Sequence, residues 1–229
     1  MTNDIVLLHG GTLGSWCWEG LRDELAADAR VTAPDLPLSD PVAGFDACVQ
    51  ATLNALPADC DRPLVVAHSA SGNYLPLAAK ALRARRMVFL CGALPQEGTS
   101  WNQQVLGDPG CVVQPLPEPS IDDQGRLVFS PETARDVFFP DCSAADQEWA
   151  VRRMVPFAQT VPNETFPVGG FDGAPPAEYV LGTNDRVLSG EWHRRAAEKL
   201  LGKPCIEIAT GHSPFLAAPG SLASILLAL

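Results

Sequence analysis

The sequence predicts an α/β domain, a mostly parallel six-stranded sheet flanked by helices and interrupted by one long insertion. Short β-rich runs alternate with longer helical patterns from the first residues onward, which is the signature of βαβ units on a parallel sheet. Most of those runs are continuously apolar rather than alternating, as strands covered on both faces must be. The rhythm breaks only once, between Leu94 and Glu178.

Taken in order, Ile5-Val6-Leu7-Leu8 forms the first strand and ends at a glycine pair, Gly10-Gly11; a helix over 16–27 follows. Val31-Thr32-Ala33 is the second strand, followed by a helix over 45–56. Leu64-Val65-Val66-Ala67 is the third and opens directly into an alanine-rich helical stretch, 70–84. Met87-Val88-Phe89-Leu90, Glu178-Tyr179-Val180-Leu181 and Cys205-Ile206-Glu207-Ile208 complete the sheet, with a helix over 190–201 between the last two. The tail, 222–229, is about two turns of helix packed on the core. Twelve of the chain's 21 prolines fall between Pro95 and Pro176, in loops such as Gln114-Pro115-Leu116-Pro117-Glu118-Pro119 with short helical pieces at 131–137 and 143–154. Ser143 and Asp146 have capping-box spacing at the second piece. An insertion this long in a compact domain is usually functional, and its place between two strands suits a lid over their carboxyl ends. The expected organisation is therefore a core of 1–94 and 177–229 with a lid of 95–176.

With 229 residues, 46% of them hydrophobic, the chain can bury the core of one such domain. A net charge of -11 argues against a nucleic-acid partner, which needs clustered Lys and Arg to displace counterions from phosphates. The basic runs Arg83-Ala84-Arg85-Arg86 and Arg152-Arg153 read as solvated faces, the first closing the helix that starts at Ala70 and the second inside the 143–154 helix. The seven cysteines are an odd number without a C-x-x-C pair, so free thiols are expected; Met1-Thr2-Asn3-Asp4 has no basic n-region, and the expected compartment is the cytoplasm. No apolar run approaches the roughly 20 residues of a membrane span. Nothing in the pattern sets an oligomeric state.

The chemistry-bearing segment is Ala67-His68-Ser69-Ala70-Ser71, a G-x-S-x-G-like elbow with Ala67 and Ser71 at the glycine positions and Gly72 one residue later. A serine hydroxyl is a weak nucleophile that must be exposed by a sharp strand-to-helix turn and deprotonated by a base. Acyl transfer also needs an orienting acid and oxyanion donors, and parallel-sheet enzymes with this elbow carry serine, acid and histidine in that order. Asp185, in Gly182-Thr183-Asn184-Asp185, and His212, in Ala209-Thr210-Gly211-His212, follow strand ends on the same sheet edge as Ser69. Of the other three histidines, His9 sits beside the glycine pair, His68 precedes the serine and should point away from it, and His193 falls in a helix. The oxyanion donors expected are the N–H groups of Ala70 and of Gly11 in His9-Gly10-Gly11-Thr12. Each residue also has a structural alternative: Ser69 as an N-cap, Asp185 as a cap for the helix near Gly190, His212 as a turn residue before Pro214. Asp35 follows a strand too, but it precedes the serine and is given a structural role.

Together these segments resemble the α/β-hydrolase superfamily over essentially the whole chain. Leu7-Leu8-His9-Gly10-Gly11 followed by Ser15-Trp16-Cys17-Trp18 is similar to the small methylesterase and hydroxynitrile lyase branch and its bacterial relatives. The resemblance implies an α/β-hydrolase fold with a single lid, Ser69 as nucleophile, Asp185 as orienting acid, His212 as general base, and chemistry without cofactor or metal. Lyases that use an extra basic residue carry a lysine after the catalytic histidine; Ser213 stands here. Trp101, Phe138, Phe139, Trp149 and Phe157 make the lid aromatic, which suits a small to medium apolar ester. Trp101, Phe138, Trp149, Phe157 and Thr12 are the expected substrate contacts, although Trp149 and Met154 could instead pack the lid helix onto the core. The expected function is carboxylesterase-type ester hydrolysis through an acyl-serine. A lyase or C-C bond-cleaving enzyme on the same triad, and a non-catalytic small-ligand receptor, are the alternatives.

Overall fold

The structure, a computed structural model, describes residues 3–115 and 118–229. The first two residues of the Met1-Thr2-Asn3-Asp4 start, and Leu116 and Pro117 of the proline-rich loop, lie outside the described residues. Six strands, β1 (Asp4–Leu8), β2 (Arg30–Thr32), β3 (Leu64–His68), β4 (Arg86–Leu90), β7 (Ala177–Gly182) and β8 (Ile206–Ile208), form one sheet in the order β2-β1-β3-β4-β7-β8. Every pair in it is parallel. A separate antiparallel pair, β5 (Ser120–Ile121) and β6 (Leu127–Val128), lies in the insertion.

Alternate residues of each strand serve opposite faces, because side chains alternate across a pleated strand. Val6, Leu8, Val65, Ala67, Met87, Phe89, Tyr179 and Leu181 pack with α2 (Phe45–Ala55), α3 (Leu75–Ala81) and α8 (Gly190–Leu201). Ile5, Leu7, Leu64, Val66, Val88, Leu90, Val180 and Ile208 pack with α1 (Glu19–Leu25), α9 (Pro214–Ala217) and α10 (Pro219–Leu227). Both faces are therefore buried, and the apolar runs in the sequence follow from that burial.

Three expected helices begin differently, and the one expected at 143–154 ends at Val151. The stretches expected at 16–27 and 70–84 each open as a 3-10 turn, Ser15–Trp18 and Ser69–Tyr74, before α1 and α3 begin. Residues 219–221 extend the tail helix forward, since Pro219 fits a first helical turn that needs no N–H donor. The basic run at 83–86 does not close α3, which ends at Ala81. Arg83 takes a left-handed φ of 52° in the turn, Arg85 donates to the Asn3 side chain, and Arg86 in β4 pairs with Glu178. Arg152 caps α6 (Ala144–Val151) from just beyond its end, and Arg153 lies over the Trp149 ring. Ser143 caps α6 as its spacing predicts, accepting from the Asp146 N–H.

Between β4 and β7 the chain also forms α4 (Trp101–Gly107), α5 (Pro131–Val137) and α7 (Thr160–Asn163). Ser100 and Gln103 make a complete capping box at α4, an element that sequence periodicity did not reveal. All seven cysteines are free thiols. Among the described residues, no helix is long and apolar enough to cross a membrane.

His193 on α8 is fully buried, its Nδ1–H donating to the Ser189 carbonyl. Burial pulls its pKa down to about 4, and burial likewise pulls His9 to about 4. In the unfolded chain both would titrate near 6.5, so between those values the unfolded state binds more protons than the folded one. The stability that neutral His9 and His193 contribute is complete above pH ~6.5 and is lost as pH falls toward 4, on the order of 3 kcal/mol for each. Thermal midpoints should therefore drop steadily across that window, and His193→Gln should flatten the slope. Equal slopes for wild type and variant would refute the assignment.

Candidate active site

The carboxyl ends of β1, β3, β7 and β8 deliver the loops that carry His9 to Thr12, Ser69, Asp185 and His212. Strand β3 ends at His68 and the 3-10 turn starts at once, forcing Ser69 into φ 51°, a left-handed conformation that costs an L-residue of order 1–3 kcal/mol. The turn also requires close packing: a Cβ on Gly72 would run into the carbonyl oxygen of Ala93. Of the three small residues around the elbow, Gly72 is thus the one whose lack of a side chain is needed.

His212 Nε2 lies 3.0 Å from Ser69 Oγ, and His212 Nδ1 lies 2.8 Å from Asp185 Oδ2. The His212 and Asp185 side chains are only 2% and 1% exposed, so the chain of hydrogen bonds runs in a low-dielectric setting where it is strengthened. Asp185 Oδ1 accepts the N–H groups of Val187 at 2.7 Å and Leu188 at 3.0 Å, which fixes the carboxylate plane and leaves Oδ2 for the histidine. Asp185 does not cap α8; Ser189 does, accepting from the Trp192 N–H.

The His9-Gly10-Gly11 loop faces the elbow. A Cβ at Gly10 would sit 2.7 Å from His68 Nδ1 and 2.8 Å from the Ser69 Cβ. His9 Nδ1–H donates to the Gly10 carbonyl at 2.9 Å, and the Leu36 N–H donates to His9 Nε2 at 2.9 Å. In a trans peptide C=O and N–H point opposite ways, so fixing the Gly10 carbonyl also fixes the direction of the Gly11 N–H. In the sequence, only its place next to the glycines marks His9 for this duty. Ala70, in the first turn after Ser69, has an N–H without an intrahelical partner.

His68, expected to point away from the serine, is bonded to the His212 backbone rather than to Ser69. Its Nε2–H donates to the His212 carbonyl at 2.8 Å, and the two rings lie 4.8 Å apart. Burial first, and the neighbouring His212 second, hold His68 well below the usual histidine pKa, so it stays neutral. Asp35 accepts the Ser15 N–H at 2.7 Å and takes the structural role expected of it.

Two voids of unequal size meet at Ser69. One, of about 150 Å³, is lined by Gly11, Thr12, Ala70, Trp101, Phe138 and Phe157 together with the apolar Val112, Leu127, Phe129, Val187 and Leu188. The other, of about 20 Å³, lies against Ser69, His68, His212 and Ser213 and has room for about one water. Trp101, Phe138, Phe157 and Thr12 line the larger void. Trp149 lines neither void: its ring packs edge-on against Trp16 at 5.1 Å, with Arg153 over it, and against the core, the alternative that the sequence left open for it and for Met154. Phe139 is buried in the core. Val112, Leu127, Val187 and Leu188 come from short irregular pieces with no periodicity that could have flagged them. A larger cavity, about 700 Å³, lies where α8 meets the 94–97 segment and Gln104 of α4, and it includes none of Ser69, Asp185 or His212.

The insertion is also bonded to the site loops. The Val155 N–H donates to the Thr12 carbonyl at 2.9 Å, and Asp141 Oδ2 accepts the Gly211 N–H at 2.6 Å, next to His212. Among the described residues, no group of three or more His, Cys, Asp or Glu side chains could hold a metal ion.

Comparison with known proteins fits this arrangement. Methylesterase 8 of Arabidopsis thaliana is 25% identical over 247 residues, spanning 100% of this chain and 90% of the relative. The crystal structure of polyneuridine aldehyde esterase superposes with a TM-score of 0.85 at 21% identity, covering 100% of this chain and 99% of that one. A pyrethroid hydrolase from Sphingobium faniae JZ-2 superposes with a TM-score of 0.79 at 22% identity, covering 99% and 96%. At such identities the two structures speak for the fold alone. The model of the alpha/beta hydrolase family, however, matches residues 5–225, nearly the whole described sheet and every loop that reaches Ser69, and the chain belongs to that family.

Proposed function

We propose that this chain is a serine carboxylesterase that cleaves a small-alcohol ester of an apolar carboxylic acid, working in the cytoplasm, where its free thiols would stay reduced. The observation that carries this reading is the hydrogen-bonded series Ser69, His212, Asp185 opening onto an apolar void. Ser69 Oγ attacks the ester carbonyl as His212 Nε2 takes its proton, and the tetrahedral oxyanion is held by the N–H groups of Gly11 and Ala70. His212 then passes the proton to the leaving alcohol, an acyl-serine remains, and water activated by His212 releases the acid. Asp185 keeps Nδ1 protonated so that Nε2 can accept. Segment 95–176 serves as the lid, with Trp101, Phe138 and Phe157 as substrate contacts.

The two voids divide the substrate. The 150 Å³ void, apolar apart from Thr12 and Ser69 itself, suits an uncharged acyl group of small to medium size. The 20 Å³ void beside His212 suits a leaving group no larger than methanol, and afterwards the hydrolytic water. The name of the methylesterase relative agrees with this division.

Methyl esters of graded acyl length, followed by acid release in wild type and Ser69→Ala, test the reading. Short and medium apolar methyl esters should turn over faster than their butyl counterparts; a preference for bulky alcohols or charged acyl groups would sink it. Trp101 forms one wall of the larger void. Trp101→Leu should therefore shift kcat/KM by about tenfold in favour of longer acyl chains, the order of one or two methylenes in an apolar pocket.

A further inference from the structure

Ser71 stands where the elbow motif usually has its second glycine. It is fully buried. Its Oγ donates to the His9 carbonyl at 2.5 Å and lies 2.9 Å from Tyr74 Oη, which is also fully buried. A serine has one proton to give, and the His9 carbonyl can only accept, so the order is fixed: Tyr74 O–H to Ser71 Oγ, Ser71 O–H to His9 O. Such a series polarises along its length and holds its end group more firmly than a single bond would.

His9 is the residue whose side chain holds the Gly10 carbonyl and thereby aims the Gly11 N–H. Ser71, for its part, belongs to the same 3-10 turn as Ala70. One hydroxyl thus connects the two segments whose N–H groups face the ester oxygen, segments that are otherwise 59 residues apart in sequence (70 − 11). A glycine at this position would give the elbow its turn and leave that connection unmade.

We propose that Ser71 is a positioning residue that sets the spacing between the Gly11 and Ala70 donors. The proposal rests on the ester-hydrolase reading of Ser69. Because an oxyanion exists only in the tetrahedral state, the spacing matters for the transition state far more than for the bound substrate.

The test is Ser71→Ala and Ser71→Gly, assayed on the best methyl ester and with a phenylboronic acid, which forms an anionic tetrahedral adduct on a serine. A displacement of well under 1 Å at catalytic donors is expected to lower kcat by about 10- to 100-fold, with KM within about twofold. Boronate affinity should weaken by a similar factor. Ser71→Cys, nearly isosteric and a weak donor, should recover part of the loss and supplies a folded variant if the smaller side chains unfold the protein. Tyr74→Phe, which leaves the Ser71–His9 bond in place, should show a smaller loss in the same direction. Retention of kcat within twofold in Ser71→Ala would overturn the proposal, as would a kcat loss without a matching loss of boronate affinity. Ester turnover surviving in Ser69→Ala is a different result and would strike the ester-hydrolase reading itself.

Discussion

Ser69→Ala should lower kcat on the best methyl ester by about 10⁴- to 10⁶-fold, with the residual rate coming from substrate binding and the oxyanion donors alone. The loss should not come with unfolding. Ser69 is held at φ 51° by the strand-to-helix turn, and alanine meets the same backbone penalty there as serine, so the fold is left as it was. The hydroxyl's partner is His212 Nε2, which borders a small void with room for about one water, able to replace the bond when Oγ is removed. Thermal midpoints of the two proteins should therefore agree within a few degrees, since one such hydrogen bond contributes about 1 kcal/mol. A fluorophosphonate that labels wild type and leaves the variant unlabelled completes the expected result. Measurable labelling of Ser69→Ala, or turnover near the wild-type rate, would end the assignment of Ser69 as nucleophile.

Asp185→Asn should cost about 10⁴-fold in kcat, and the local hydrogen bonds say why so isosteric a change is so damaging. Oδ1 accepts two backbone N–H groups, from Val187 and Leu188. In the variant that position must remain an oxygen, because an NH₂ there would face two donors. The amide nitrogen is thereby placed on the side of His212 Nδ1, 2.8 Å away in the parent. It donates, so Nδ1 must become the acceptor and the imidazole proton moves to Nε2. Nε2 then offers a proton to Ser69 where it should accept one. Asp185→Glu would move the carboxylate off the turn and lose both functions together. A kcat for Asp185→Asn within tenfold of wild type would show that the tautomer of His212 is set elsewhere.

Much of this architecture is legible in the sequence because burial on both faces of a parallel sheet leaves unbroken apolar runs, as in Leu64-Val65-Val66-Ala67. The loops that follow such runs are then located by default. That is why Ser69, Asp185 and His212 can be named from chain order and are found within hydrogen-bonding distance. The insertion is less legible. An aromatic there carries no mark of which way it faces: Phe157 lies against Gly11, whereas Trp149 lies against Trp16. Residues such as Val112 and Leu127 sit in pieces too short for any period to register. Ser71 shows a third kind of gap. Read as a small stand-in for glycine, it turns out to carry two hydrogen bonds, and only three-dimensional proximity to His9, 62 residues earlier, makes them visible.

The two bonds from the insertion, Val155 to Thr12 and Asp141 to Gly211, reach the two loops that flank Ser69 from opposite sides. One short stretch, 141–155, thus ties together two loops that lie about two hundred residues apart in the chain, so the segment carrying the Gly11 N–H and the segment carrying the His212 imidazole share a common brace and a strain on either is passed to the other.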